Sequence, residues 1–491
     1  VQRQWIIAPP EELHGGAISW SKICASECIS RLLLRMGFGC HADVEAFLQP
    51  RLKTLSDPFL LPQMKEAVDR LLLAMDRGER VVLFGDYDVD GVTSLALLSS
   101  LLNAYGVSPE LFLPLRMEEG YGLSRPGIER CLEQFRPQLL VAVDCGTSSL
   151  TEISLLQERG VDVIVLDHHE PKTALPKCVA VVNPKTDSGS PFHYFCSAGI
   201  VFKVCHALLK MRPVPGFDLR SHLDLVALAT VADIVPLRGE NRTLVQRGAL
   251  EIARTSRPGL RHLMELSGVG SPVLPEHIAF RLGPRLNAAG RLSTAEKALR
   301  LLVTTNVIEA GELAKTLDEE NRQRQEVERQ IVGEAEKKIE MDFDPAVDAA
   351  IVVGGRNWHP GVLGIVASRL ARKFHRPVIV VGFDEEGVGR GSGRSIEGLS
   401  LVAALTRCHD FLEKYGGHEM AAGLTLRQSN FEAFSAAFRA VARELLSDDQ
   451  LLPRLRIDHE LAFSDLNFDF LRWHELLQPF GNGNRQPLFY T

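Results

Sequence analysis

Three short stretches of this 491-residue chain set acidic and imidazole side chains directly after runs of aliphatic residues. Val81-Val82-Leu83-Phe84 leads into Gly85-Asp86-Tyr87-Asp88-Val89-Asp90-Gly91, Val141-Ala142-Val143 into Asp144-Cys145-Gly146, and Val165-Leu166 into Asp167-His168-His169. Crowded carboxylates repel and raise one another's pKa values, which is unfavourable unless positive charge sits among them. Divalent cations meet that need. A mixed Asp/His set suits Mn²⁺ or a similar ion, whereas Mg²⁺ favours oxygen donors alone. Two ions about 3.5–4 Å apart can share a carboxylate and activate a water for in-line attack on phosphorus. That chemistry needs no side-chain nucleophile, and none is evident. A single Asp after a strand is ordinarily a helix cap or a turn residue. Asp86-x-Asp88-x-Asp90-Gly91 could also open a calcium loop, but its closing position, counted from Asp86, is Leu97, which cannot coordinate a cation. Three such endings together are read as one metal site.

For these stretches to meet, their strands must share a sheet, because ligands of open α/β sheets bind outside the carboxyl ends of the strands. Strand-like runs occur at 81–85, 110–114, 138–143, 161–166 and 178–182, with helical patterns such as 94–105 and 150–159 between most of them. Short aliphatic runs alternating with helices predict an α/β fold with a doubly wound parallel sheet. That domain is expected over 61–305, including a helical extension, after an amino-terminal extension at 1–60 with one helix near 30–36. A charged helix at 306–341 is read as an interdomain connector. A smaller α/β domain is expected at 342–448, opening on Ala349-Ala350-Ile351-Val352-Val353, and a further unit begins at 449–491. The chain starts at Val1 and stops after Phe489-Tyr490-Thr491, so both ends are expected to be cut.

The net charge of −7 argues against a molecule that coats polyanions, so a nucleic-acid substrate would need a locally basic groove. Nine cysteines without C-x-x-C pairs (Cys24 and Cys28 are the closest) fit neither a zinc site nor a disulfide framework, and point to a reducing compartment. No apolar run approaches the ~18 residues of a membrane span, and no secretory signal is evident.

The acidic segments resemble the DHH phosphoesterase superfamily, named for a triplet found here as Asp167-His168-His169. The three-aspartate form of the first motif looks like the RecJ family within it, as do Leu225-Val226-Ala227-Leu228-Ala229-Thr230-Val231-Ala232-Asp233 and Gly283-Pro284-Arg285-Leu286-Asn287-Ala288-Ala289-Gly290-Arg291. Trp358-His359-Pro360-Gly361 and Gly416-Gly417-His418 look like the DHH-associated domain, and Pro479-Phe480-Gly481-Asn482-Gly483-Asn484 like the opening of RecJ's oligonucleotide-binding (OB) barrel, incomplete here. RecJ proteins commonly carry Gly at the position of Ala229, a small-for-small departure. The resemblance implies two divalent cations, Mn²⁺ or Mg²⁺. Asp88 would hold one and Asp90 the other, Asp144 would bridge, and His168 and Asp233 would complete the second site. Asp86 stands where many members have a histidine and is assigned to catalysis beside the first metal. His169 would face the scissile phosphate and assist the leaving group. Asp224 is expected to serve an N-terminal helix role.

The same resemblance implies a single-stranded DNA exonuclease working from the 5′ end, releasing 5′-mononucleotides in DNA repair and recombination in the cytoplasm. It would act as a monomer, with single-strand-binding protein and a helicase as partners. Arg291, with Arg285 and Asn287 nearby, is the expected 5′-phosphate receptor, since a guanidinium fork suits phosphate. Arg116 and Tyr121 follow the second strand, where a tyrosine could stack a base. In the smaller domain His359, Ser392, Arg394 and His418 are candidate strand contacts, near a cluster of Arg369, Arg372, Lys373 and Arg376. The cleft is expected to lie between the domains and to admit one strand. The rival readings are a DHH phosphodiesterase acting on short oligoribonucleotides or cyclic dinucleotides, and a non-catalytic replication or repair scaffold.

Overall fold

The computed structural model describes residues 3–9, 26–116, 118–172 and 174–491; Cys24 and much of the expected amino-terminal extension lie outside them. The chain forms two compact units, and each is built around its own sheet.

The first unit comprises the described part of Pro10–Asn321 together with Glu460–Phe489. Its sheet contains β2 (Val81–Phe84), β3 (Glu110–Phe112), β4 (Leu139–Val143), β5 (Asp162–Leu166) and β6 (Ala180–Val182), all parallel, in the order β3-β2-β4-β5-β6. Every residue of β2 and β4 is buried, which is why these strands read as unbroken aliphatic runs. Alternate residues serve opposite faces. Val81, Leu83, Val141 and Ile164 pack with helices Met64–Arg77, Val89–Ala104 and Ser197–Met211, while Val82, Phe84, Leu140 and Val165 pack with Arg125–Phe135 and Leu150–Glu158. The sheet is therefore doubly wound, as expected. The chain leaves β2 for β3 on one side and returns to β4 on the other. The order thus reverses between β2 and β4, and their carboxyl ends flank the crevice where such sheets bind ligands.

The second unit is Arg322–His459 with the amino-terminal strand β1 (Gln4–Ile7). Its sheet holds β7 (Ile351–Arg356), β8 (Val378–Phe383), β9 (Val388–Arg394), β10 (Lys414–Gly417) and β11 (Ala421–Arg427) in the order β10-β11-β9-β8-β7. Only β7 and β8 run parallel, joined by helix Pro360–Phe374; the other pairs are antiparallel.

The connector is one continuous helix, Val307–Asp342, and the division between units falls inside it rather than at its ends. Described residues from the two ends of the chain pair and pack with one another. Strand β12 (Arg454–Ile457) finds its partner in β1, pairing in parallel within the second unit. Leu461, Phe470 and Leu477 instead complete a core with Ile29, Leu33, Val44 and Leu48 in the first. Arg242 fixes that join by donating to the carbonyls of Phe47, Leu476 and Leu477. Short strands and amphipathic helices cannot bury an apolar face alone, and sequence distance does not say which partner will cover it. Among the described residues no helix is long and apolar enough to cross a membrane, and the eight described cysteines are free thiols.

Candidate metal centre

The first acidic stretch leaves β2 and immediately starts helix Val89–Ala104. Asp88 caps that helix, its Oδ1 accepting from the backbone N–H of Asp90 at 2.9 Å and of Gly91 at 3.2 Å. The cap and the cluster therefore coexist in one residue. Gly91 allows the turn to close, since a Cβ there would lie 2.2 Å from the Asp86 carbonyl oxygen. At the end of β4, Asp144 takes φ +63°, a left-handed conformation unusual for a residue with a side chain. Such strain persists where surroundings over-determine it. Here the Asp144 N–H donates to Leu166 O at 2.9 Å, its carbonyl accepts from the Tyr121 hydroxyl at 3.2 Å, and its Oδ1 accepts from Ser197 Oγ at 2.9 Å.

Ligand-type atoms gather in three overlapping groups: Asp86, Asp88 and Asp144; Asp90, His168 and Asp233; and Asp144, His168 and His169. Within each group the atoms lie within 4.8 Å of one another. His168 Nε2 stands 3.4 Å from Asp144 Oδ1, 3.5 Å from Asp233 Oδ2 and 3.9 Å from Asp90 Oδ2. These are longer than charge-assisted hydrogen bonds of about 2.7–2.9 Å. Burial lowers the His168 pKa to about 3, so the ring is neutral, the form in which imidazole binds a metal. Burial and the Asp88 charge raise Asp90 to about 6. Burial and neighbouring carboxylates also push Asp86, Asp144 and Asp233 well above the carboxylate range. Asp86 Oδ2 and Asp233 Oδ2 are buried without any hydrogen-bond partner. Buried acceptors left without a donor are costly, and a divalent cation supplies what the protein does not. The donor set therefore fits a pair of such ions.

Asp167, the first residue of the triplet, belongs to none of the three groups. Its Oδ1 accepts from the N–H groups of His168 and His169 and from His169 Nδ1 at 2.7 Å, and its Oδ2 from Thr147 N. Burial opposes its ionisation, but these hydrogen bonds hold its pKa below the usual range. Burial likewise opposes charge on His169, yet the Asp167 bond and the Asp167, Asp88 and Asp86 charges outweigh it and raise its pKa. His169 Nε2 meets the Tyr121 hydroxyl at 2.9 Å. Arg116 stacks over Tyr87, which packs edge-on against Tyr121, and Arg291 lies close enough for its charge to act on the Tyr87 phenol. Tyr121 thus borders the acidic centre, with Arg116 and Arg291 on the side of Tyr87.

Other expected substrate residues are otherwise engaged. Arg285 donates to Asp318 Oδ1 at 2.8 Å and to Arg281 O at 2.7 Å, so its fork belongs to a buried ion pair. Arg285→Ala is expected to destabilise the protein by about 2 kcal/mol or more, because the buried Asp318 carboxylate loses the guanidinium that balances its charge. Denaturant unfolding measures this, and an unchanged midpoint would assign the arginine no structural role. Asn287 Oδ1 accepts from Val89 N at 3.1 Å, which makes Asn287 a support of the acidic loop. Asp224, in the first turn of helix Leu223–Ala232, accepts from Thr255 and Arg257.

In the second unit, Ser392 and Arg394 share one face of β9, with Arg394 Nη1 donating to Ser392 Oγ at 3.2 Å. His359 caps helix Pro360–Phe374 through Nδ1, and His418 is exposed beyond β10. Half of the basic cluster there is paired with carboxylates, Arg369 with Glu328 and Lys373 with Glu336, and buried Arg376 binds backbone carbonyls of Pro345, Asp348 and Leu451.

Three supporting residues were not visible in the sequence. Ser197 and Ala198 open helix Ser197–Met211 and donate their N–H groups to Asp90 Oδ2 at 2.6 Å and Oδ1 at 2.8 Å. Asn183 donates to Thr147 Oγ1 and to His169 O, fixing the triplet from behind. Small residues at a helix start and an Asn after a strand are the only local signals.

Residues 80–230 match the DHH family, N-terminal domain, 347–444 the DHHA1 domain, and 457–491 the RecJ OB domain. The chain is 36% identical over 475 residues to the single-stranded-DNA-specific exonuclease RecJ of Haemophilus influenzae, covering 93% of this chain and 82% of that protein. It is 36% identical over 489 residues to the RecJ of Bacillus subtilis, covering 99% of this chain but only 61% of that longer relative. The RecJ of Thermus thermophilus, crystallised in complex with Mn²⁺, superposes with a TM-score of 0.85 at 33% identity, covering 99% of this chain and 69% of that one.

Proposed function

The chain belongs to the RecJ family, and from that premise we propose that it is a metal-dependent exonuclease degrading single-stranded DNA from the 5′ end and releasing 5′-mononucleotides. The observation that carries this reading is the overlap of the three ligand groups, with Asp144 and His168 each shared by two, around buried oxygens that have no donor. Asp88 is assigned to the first cation with Asp86 beside it, Asp90, His168 and Asp233 to the second, and Asp144 to both. RecJ relatives have been crystallised with Mn²⁺ and with Mg²⁺. A bound pair of such ions supplies an acidified water and neutralises charge at the phosphate under attack.

The protein's own groups do the rest. The Ser197 and Ala198 amides orient Asp90. His169, oriented by Asp167 and carrying a raised pKa, is assigned to give a proton to the departing 3′-oxygen as the P–O3′ bond breaks. Arg116 and Arg291 bring positive charge for the 5′-phosphate, and the Tyr121 ring offers a face to a base. In the second unit Ser392, Arg394, His359 and His418 are the assigned strand contacts. Free cysteines fit a cytoplasmic enzyme, and a monomer served by single-strand-binding protein and a helicase completes the reading.

Digestion in Mn²⁺ of 5′-phosphorylated single-stranded DNA beside linear dinucleotides is the test. Stepwise release of mononucleotides from the DNA, at least tenfold faster than dinucleotide hydrolysis, is expected. Preference for dinucleotides overturns the substrate assignment, and absence of any hydrolysis overturns the enzyme.

A further inference from the structure

Asp233 stands at the carboxyl end of helix Leu223–Ala232, and the segment after it has an unusual conformation. Ile234 takes φ +59°, which a β-branched residue adopts only under constraint, and its side chain is 70% exposed, so core packing does not hold it there. What does hold it comes from the far end of the chain. Asn482 Nδ2 donates to the Ile234 carbonyl, the Asn482 carbonyl accepts from Leu237 N at 2.7 Å, and Arg238 Nε donates to Gly483 O at 3.2 Å. The donor turn is itself rigid. Gly481 and Asn484 exchange backbone hydrogen bonds, and buried Asn484 donates to the carbonyls of Leu477 and Pro479. Gly483 has φ +71°, and a Cβ there would lie 3.0 Å from Pro236. From the other side, Asn241 Nδ2 donates to Pro236 O at 3.0 Å. Residues 234–238 are thus clamped at three carbonyls or amides, while Asp233 Oδ2, one peptide away, is left without a hydrogen-bond partner.

We infer that the Pro479–Asn484 turn, in the segment matching an OB domain, is a positioning device for the metal ligand Asp233, with Asn482 as its principal contact. The inference rests on the assignment of Asp233 to the second cation. Without the Asn482 amide, the Ile234 carbonyl loses its donor, the left-handed conformation relaxes, and the Asp233 carboxylate swings out of register with Asp90 and His168. The turn leaves Asp86 and Asp88 untouched, so only one of two cations should be affected.

The test is Mn²⁺ binding to the 491-residue chain, read as free Mn²⁺ by electron paramagnetic resonance, with circular dichroism confirming the fold. Two bound ions are expected for the unaltered chain. Asn482 is exposed, so its truncation removes no core packing. For Asn482→Ala, at least tenfold weaker binding of one ion is expected, the same ion that Asp233→Asn loses. Asparagine accepts left-handed backbone, so Ile234→Asn added to Asn482→Ala should restore binding to within about threefold of the unaltered chain. Full binding by Asn482→Ala, while Asp233→Asn loses an ion, overturns the clamp and leaves the metal assignment standing. Equal binding by the unaltered chain and Asp233→Asn overturns both. Weakened binding that Ile234→Asn fails to rescue also overturns the clamp, because the loss would then not arise from the strained residue.

Discussion

Asp144→Ala is expected to abolish Mn²⁺-dependent cleavage, by on the order of 10³-fold or more, without unfolding the protein. In the proposed assignment Asp144 would serve both cation positions, so its loss would disturb both, and several kcal/mol of transition-state stabilisation would depend on them. The protein without metal should tolerate the change. Asp144 is buried among Asp86, Asp88, Asp90 and Asp233, and its raised pKa shows that its charge is unfavourable there. Removing it relieves repulsion, although alanine in the left-handed conformation gives back about 1–2 kcal/mol. Asp144→Asn separates the two effects, since asparagine suits φ +63° and can still accept from Ser197. Rates on 5′-phosphorylated DNA and melting curves in chelator check the prediction. Cleavage within tenfold of the unaltered chain would remove the bridging role.

Stripping divalent cations is expected to make stability fall as pH rises from 6 to 8, and Mn²⁺ is expected to reverse the trend. Asp86, Asp90, Asp144 and Asp233 have folded pKa values above those of an unfolded chain. Such groups favour the folded state while protonated and withdraw that support as pH rises through the folded pKa. Asp90, raised from 3.8 to about 6, withdraws roughly 3 kcal/mol as pH climbs between those values, so its share is nearly complete by pH 7. Asp86, Asp144 and Asp233, together with the raised His169, act in the same direction. Below pH 6.5 the trend is opposed. His168 is held neutral with a pKa of about 3, so the unfolded chain takes up a proton there that the folded site refuses. Cations bound by the ionised carboxylates stabilise by about 2.7 kcal/mol per site at a hundredfold excess over Kd, most effectively at high pH. Melting curves at pH 6, 7 and 8, in chelator and in Mn²⁺, test both parts. A metal-free melting temperature that is flat or rises toward pH 8 would contradict the buried-carboxylate account.

The acidic centre is largely legible in the residues. Each β-strand that carries it ends in an apolar run, and the acids follow where such runs end, so sheet, strand direction and crevice can be inferred together. Asp88 shows where a local reading understates a residue: helix cap and cluster member look like competing roles in the sequence, and its two carboxylate oxygens allow both. Arg285 shows how a contact can stay hidden. The resemblance points it to phosphate, and in the fold its guanidinium also donates to the buried Asp318 carboxylate 33 residues away.

By itself the sequence determined the elements and the positions of the charged groups along them, because hydrophobic periodicity and strand endings are local properties. It could not determine which distant polar groups complete each other. The Ser197 amide on Asp90 comes from 107 residues downstream, Asn287 reaches Val89 across 198, and Asn482 reaches Ile234 across 248. Those pairings arise only when distant segments dock, and each donor or acceptor then takes the partner that packing brings to it.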